Sequence, residues 1–215
     1  MKKILFLLIL IVSPIVLAQT SLYENPEFDE IAKSHKSIAI LPFKTTVKLR
    51  PKQMEEMTPE TLLKLEIAEG KSIQLAMFSW FLKRKKRGDL KTIEVQDPNK
   101  TTAILGKKEI TQENITNFTS EELADMLSVD AIITGNYETS KPMSEGASVA
   151  LGLLIGFWGS TNSATVNMNV HNAADGVLLW NYNKKVRGSI GSSPSDLINK
   201  LMRKASRRLS YTKKK

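Results

Sequence analysis

The 215-residue sequence has no cysteine and only two histidines. The first absence excludes a disulfide scaffold and thiolate chemistry, and it leaves no residue behind a leader to carry an amino-terminal lipid. The second excludes a zinc site, which needs Cys or His ligands in close spacing. A Walker loop and a Gly-x-Ser-x-Gly elbow are also missing, and with them the signatures of P-loop phosphoryl transfer and of serine hydrolysis. Ser210-Tyr211-Thr212-Lys213 matches Ser-x-x-Lys but stands in a basic tail without the rest of that framework, and it reads as chance. Carboxylates at Glu55-Glu56, Glu121-Glu122 and Asp125 are the remaining candidates for acid–base work. Glu122, however, is explained by helix capping, and Glu121 with Asp125 falls on the solvated side of a short helix. His35 lies in a polar arm and His171 at a strand end, so both read as surface residues. No cofactor is called for, and the chain reads as a non-enzyme.

What is present begins with charge. Thirty-one Lys and Arg face 22 Asp and Glu, for a net charge of +9. The excess sits in three acid-free segments, residues 1–18, 83–87 and 200–215, which carry 2, 5 and 8 basic residues. The rest of the chain is mildly acidic. Basicity confined to a leader, a helix end and a tail predicts local contacts rather than a groove that tracks phosphates, so nucleic acid is not an expected partner. The run Lys83–Arg87 and the tail Lys213–Lys215 read as solvated charge, with attraction to anionic lipid head groups or acidic polymers as the alternative.

Met1 to Ala18 opens with Lys2 and Lys3, continues through the apolar run Ile4–Val12 and closes on Val16-Leu17-Ala18. That is the pattern of a cleaved secretory signal, and the run before Ser13-Pro14 is too short for a membrane anchor. A periplasmic or outer-membrane-associated protein is therefore expected, stabilised by its core in the absence of disulfides.

Residues 19–36 are polar and read as an amino-terminal arm or short helix. Ser37–Phe43 predicts a buried strand ended by Pro42. Thr58 and Pro59 start a helix reaching about Arg87, lined by Leu62, Leu65, Ile73, Met77, Trp80 and Phe81. Gly70 costs that helix about 1 kcal/mol relative to alanine. Leu90–Val95 reads as a second strand, and residues 96–118 are polar and unassigned. Thr119 to Glu122 form a capping box before a short helix with Leu123, Ala124 and Leu127 inward. Asp130–Tyr137 reads as a central strand. Ala164–His171 alternates, with Ala164, Val166, Met168 and Val170 on one face, and Asp175-Gly176 turns it into an antiparallel partner, Val177–Arg187. Ser193 and Pro194 start a last helix, with Leu197, Ile198, Leu201, Ala205 and Leu209 on one side and the basic surface of Lys200, Arg203, Lys204, Arg207 and Arg208 on the other. The expected fold is one α/β domain over residues 37–211, a mixed sheet of about five strands covered by about three helices in two layers, followed by a basic tail, 212–215.

Three pieces of this pattern, in order, resemble a known group. Ile38-Ala39-Ile40-Leu41-Pro42-Phe43, the run from Glu122 through Asp130-Ala131-Ile132-Ile133-Thr134-Gly135, and Asn172-Ala173-Ala174-Asp175-Gly176-Val177-Leu178-Leu179-Trp180 are similar to motifs of the exported proteins related to the TolB amino-terminal domain, the LpoB-type penicillin-binding-protein activators and the CsgG-type curli-secretion lipoproteins. Asn172 and Asp175 stand where that group has Asp and Thr, and its lipid-bearing Cys is missing. The resemblance implies a non-catalytic binding or assembly domain at the bacterial envelope with a two-layer α/β core. Physically the matched residues read as scaffold: Asp130 capping or turning into its strand, Gly135 permitting a close backbone approach, Asp175 and Gly176 supplying turn geometry, and Trp180 filling core.

Residues 146–174 carry no formal charge, and small residues recur at Ser144, Ser148, Gly152, Gly156 and Ser160. On a helix these would form a smooth stripe, from which Leu151, Leu154, Ile155 and Trp158 project away. On a strand, Val149, Leu151, Leu153, Ile155 and Phe157 would share one face. About 13 residues give ~20 Å of helix, short of a ~30 Å hydrocarbon core, so a single spanning helix is excluded. The bland reading is a buried insertion, 144–162. The functional reading makes Leu151, Leu154, Ile155, Phe157 and Trp158 a contact with an envelope protein, a second copy or the membrane periphery. The expected function is thus a non-catalytic envelope protein acting through protein contacts. The alternative is a subunit of an oligomeric outer-membrane secretion assembly, in which 147–158 form membrane hairpins.

Overall fold

A computed structural model describes residues 20–48, 51–55, 57–90, 93–139, 163–187 and 194–212. The leader and residues 140–162 lie outside the described residues, and with them Leu151, Leu154, Ile155, Phe157 and Trp158.

Seven strands form one mixed sheet. They are β1 (Thr20–Glu24), β2 (Ser37–Ile40), β3 (Lys44–Val47), β4 (Glu94–Val95), β5 (Ala131–Thr139), β6 (Ser163–Asn172) and β7 (Leu178–Arg187). Their order is β1-β7-β6-β5-β2-β4, with β3 also paired to β5. The pairings β1–β7, β7–β6 and β6–β5 are antiparallel, whereas β2, β3 and β4 run parallel to their neighbours. The α-helices among the described residues are α1 (Phe28–Ile31), α2 (Pro51–Glu55), α3 (Pro59–Lys86), α4 (Pro98–Lys107), α5 (Ser120–Leu127) and α6 (Pro194–Arg208).

Alternation along β2 and β5 builds both sides of the core, because successive side chains leave a strand on opposite faces. Ile38, Ile40 and Ile133 pack with Ile73, Met77 and Phe81 of α3 and with Leu201, Met202 and Ala205 of α6. Ala39, Leu41 and Ile132 face the other way, onto Leu105 of α4 and Leu123, Ala124 and Leu127 of α5. In β6, Ala164, Val166, Met168 and Val170 are all buried, while alternate residues between them are partly exposed. On the wetter face the amide nitrogen of Asn181 donates to the side-chain oxygens of Asn167 (2.7 Å) and Asn169 (2.6 Å).

Proline 42 separates β2 from β3, and the chain rejoins β5 four residues further along. The interruption leaves strand carbonyls to be satisfied from elsewhere. Gln74 of α3 donates to the Ile40 carbonyl (2.6 Å), and Gln112 donates to that of Phe43 (3.1 Å). Phe43 itself is buried between Gly70 of α3 and Gly135 of β5. A Cβ on Gly135 would fall 2.2 Å from the Phe43 ring, and one on Gly70 would fall 2.2 Å from the Phe43 carbonyl oxygen. Gly70 is therefore the point at which α3 touches the sheet backbone, not a flaw in the helix.

Four parts of the chain differ from the sequence reading. The expected arm at 19–36 holds an edge strand and a short helix: β1 pairs with β7, and Phe28 is buried. Strand β3 extends the sheet, with Thr45 and Val47 inward. In the unassigned stretch 96–118, α4 starts on an Asp97 cap, whose carboxylate accepts from the Asn99 amide (2.7 Å) with Pro98 behind it. Of the expected strand at Leu90–Val95, Glu94–Val95 is strand, Leu90 and Ile93 are buried outside it, and residues 91–92 lie outside the described residues. Two of the expected caps form, and the third, Ser193, lies outside the described residues. Thr58 accepts from Thr61, and the Thr119–Glu122 box is closed in both directions.

Candidate functional site

An open cleft of about 370 Å³ lies where β2 and β5 begin and β6 ends, lined by Ser34, His35, Asp125, Ser128, Asp130 and Asn172 among others. It gathers His, Asp and Ser side chains, so it is the place to look for chemistry. The hydrogen bonds show what these groups do.

His35, expected at the surface, is 4% exposed. Its Nδ1 meets the Tyr211 hydroxyl at 2.5 Å, and its Nε2 meets Asn172 Oδ1 at 3.0 Å. Polarity along the chain follows from the donors. The Asp175 carboxylate only accepts, so the Asn172 amide nitrogen faces it (2.8 Å), the Asn172 oxygen faces His35, and Nε2 carries the hydrogen between them. Tyr211 also packs edge-on against Phe28, with ring centroids 5.0 Å apart. Burial, and then the charge of Asp130, push its phenol far above the ordinary tyrosine range. The carboxy-terminal turn is thus clasped onto the segment that precedes β2. His35 was misread because Ser34 and Lys36 flank it with polarity. The contact that buries it is 176 residues away.

Asp130 ties the starts of β5 and β2 together. One oxygen accepts from the amides of Lys36 and Ser37 (2.8 Å each) and from the Ser37 hydroxyl (3.3 Å). Burial works to raise its pKa, but these donors and the nearby His35 outweigh it and hold the carboxyl below the ordinary aspartate range. A depressed carboxyl contributes stability that is complete above the ordinary range and lost as pH falls through the folded value. Asp130→Asn should therefore cost about 1 kcal/mol near neutrality. In thermal unfolding across pH, its gap from the parent should close as acid titrates the parent carboxyl. A gap that stays constant into acid would contradict this assignment.

Asp175 and Gly176 form the turn between β6 and β7. Asp175 accepts from the Val177 amide (3.1 Å), and Gly176 has φ of 66°, a region open to glycine. Trp180 is fully buried and stacks on Tyr182, with centroids 5.5 Å apart and planes at 8°. His171 is partly buried, its Nδ1 3.1 Å from the Gly176 carbonyl. No group of three or more His, Asp or Glu among the described residues could hold a metal. No helix among them is long and apolar enough to cross a membrane.

The basic residues lie on the opposite side of the sheet's first core, where α6 packs against α3. Lys200, Arg203, Arg207 and Arg208 are exposed, and Lys204 is half-buried. From the run read as solvated charge, Arg84 departs: its side chain is 8% exposed. Its Nε donates to the Ser206 hydroxyl (2.9 Å), one terminal nitrogen donates to the Arg203 carbonyl (3.1 Å), and the other lies 3.9 Å from Asp89. Burial lowers its pKa, Asp89 opposes that, and Arg207 and Arg87 add to it. Arg84→Lys should cost roughly 2 kcal/mol in denaturant unfolding, since one ammonium cannot replace a fork that serves two acceptors. Equal stability of the lysine variant would show that the fork is not needed. The sequence places Trp80 on the apolar side of α3 and Arg84 and Arg87 in a basic run, and does not group the three. Their i, i+4, i+7 spacing, which puts them on one helix face, was the available signal.

No protein-family description matches this sequence, and no curated protein matches it significantly. Distant likeness to solved structures exists. A PelC dodecamer from Paraburkholderia phytofirmans is 10% identical, with 86% of this chain and 92% of that chain covered and a TM-score of 0.42. Lipoprotein GNA1162 from Neisseria meningitidis is 13% identical over 79% and 94%, also at 0.42. The LpoB C-terminal domain from Salmonella enterica is 9% identical over 75% and 93%, at 0.34. Likeness this remote fixes neither family nor activity.

Proposed function

We propose that this chain is an exported, non-catalytic binding or assembly protein of the bacterial envelope, related to the TolB/LpoB/CsgG-like group and acting through contacts with other proteins. The observation that carries this reading is the commitment of the polar groups of the sheet-end cleft to the fold itself. Both ring nitrogens of His35 are spent on Tyr211 and Asn172, and Asp130 holds three donors of the β2 start. Groups so committed tie elements together and are poorly placed to exchange protons with a substrate.

The leader pattern of residues 1–18 supports export, with removal of that segment. The uncharged stretch 146–174 supports a contact role for Leu151, Leu154, Ile155, Phe157 and Trp158. Residues 140–162 join Thr139 of β5 to Ser163 of β6, at the far end of those strands from the His35 cleft. A partner held there would leave the clasp undisturbed. Deletion of residues 147–158 tests the reading. The expected result is an unchanged unfolding transition together with loss of partners captured from envelope extract. A deletion that unfolds the protein would make the segment core and refute the contact role. Light scattering with and without detergent separates the two envelope readings, because a large ring formed in detergent would replace this proposal with a pore subunit.

A further inference from the structure

The seam between α3 and α6 contains a second concave site, of about 330 Å³, with one-sided chemistry. From α3 come Trp80 and Arg84, with Arg87 at its C-cap, and from α6 come Arg203, Lys204 and Arg207. Each trio lies on a single helix face. Five cations therefore converge from two separate elements, and among the described residues no carboxylate lines the cleft. The Asp89 carboxylate stands beside the group, 3.9 Å from Arg84.

Donor and acceptor roles sharpen the picture. Indole, guanidinium and ammonium groups donate hydrogen bonds and do not accept them. Every polar side chain lining the cleft is thus a donor, and the Trp80 Nε1 is buried with no partner. Lys83 stands over the Trp80 ring, 4.2 Å from its centroid, and adds a further cation beside the wall. The like charges press on one another. Burial, then Lys184, Lys200, Arg203 and Arg208, hold the Lys204 ammonium below the ordinary lysine range. A fold that packs two helices through facing basic stripes lowers its free energy when an acceptor-only anion enters between them. Several negative charges within a small volume, on oxygens spaced for guanidinium forks, describe a phosphate group and not a single carboxylate.

We infer that the α3–α6 cleft is a binding site for a multiply charged, phosphate-class oxyanion. The shared chemistry is the phosphate, whether free in solution or borne by a lipid head group. The inference does not depend on residues 147–158.

The test is thermal unfolding of the protein with inorganic pyrophosphate, against sodium chloride at matched ionic strength. The expected result is a saturable rise in Tm of roughly 5–10 °C at a hundredfold excess over Kd. Arg203→Gln/Arg207→Gln should weaken binding at least tenfold, and Lys107→Gln/Lys108→Gln, which removes the same charge from an exposed helix end, should leave it unchanged. Without ligand, the first variant should unfold no earlier than the parent, because it relieves repulsion. If it fails to fold, Arg87→Gln alone is read in the same way. Sedimentation with phosphatidylcholine vesicles containing phosphatidylglycerol then distinguishes the sources. Cosedimentation lost in the cleft variant assigns a lipid head group, and pyrophosphate binding without cosedimentation assigns a soluble phosphate. No rise in Tm, an equal rise with chloride, or a rise retained in Arg203→Gln/Arg207→Gln would overturn the inference.

Discussion

Gly70→Ala is expected to destabilise the protein by about 3 kcal/mol, against a helix-propensity gain of about 1 kcal/mol in the other direction. The two effects act on different objects. Propensity concerns the backbone of α3 alone, where alanine is the better residue. The loss arises at the contact, where the new methyl would lie 2.2 Å from the Phe43 carbonyl oxygen and 2.6 Å from the Gln112 amide nitrogen. Neither neighbour yields cheaply. The carbonyl belongs to the short link held between β2 and β3, and moving Gln112 breaks its hydrogen bond to that same oxygen. The substitution thus separates a helix from the sheet and leaves the Phe43 carbonyl unsatisfied. Urea unfolding checks it: the midpoint should fall with an unchanged slope. A neutral or stabilised Gly70→Ala would mean that α3 and the Phe43 backbone are not in contact. A companion, Gly135→Ala, meets the ring of the same Phe43 and should lose much of its cost in a Phe43→Leu background, as residues sharing one contact couple.

His35→Ala is the second large effect, about 3 kcal/mol. It opens a void and leaves the Tyr211 hydroxyl and the Asn172 oxygen buried without their partner. Tyr211→Phe removes the hydroxyl but keeps the ring on Phe28, and should cost about 1 kcal/mol. The pair is informative together. The double variant should be less destabilised than the sum, because removal of both hydrogen-bonding ends spares the orphaned group. Additive losses, measured by chemical denaturation, would show that the two side chains are not bonded.

Legibility divides along physical lines. Strands β2, β5, β6 and β7 were readable because each is apolar or alternating over several residues, and α3, α5 and α6 because cap and periodicity agree. β1 was not, since Leu22 and Tyr23 both face solvent and an edge strand needs no buried side. β3 was not, because inward-facing Thr45 breaks the apolar alternation. Helix α4 carried the same cap and proline signal as α3, but its apolar face is reduced to Leu105 with Ile104 at its margin. Near the candidate sites, Asp130 bonds to Lys36 and Ser37 far back in the chain, and only the local roles of Asp175 and Gly176 follow from neighbours in sequence. Those of His35 and Tyr211 do not, because burial and bonding come from the far end of the chain. The facing of α3 by α6 is likewise a tertiary fact that two separate helical stripes could not announce.

The clasp between Tyr211 and the Phe28–His35 segment, together with the β1–β7 pairing, bears on the order of events in the life of the chain. A polypeptide delivered amino-terminus first, from a ribosome or through a translocation channel, presents β1 long before β7 exists beside it, and the His35–Tyr211 contact spans 176 residues. Closure of so distant a contact is slow compared with local helix formation. The finished sheet therefore waits on β7 and the clasp on Tyr211, so neither closes while only the first half of the domain is out.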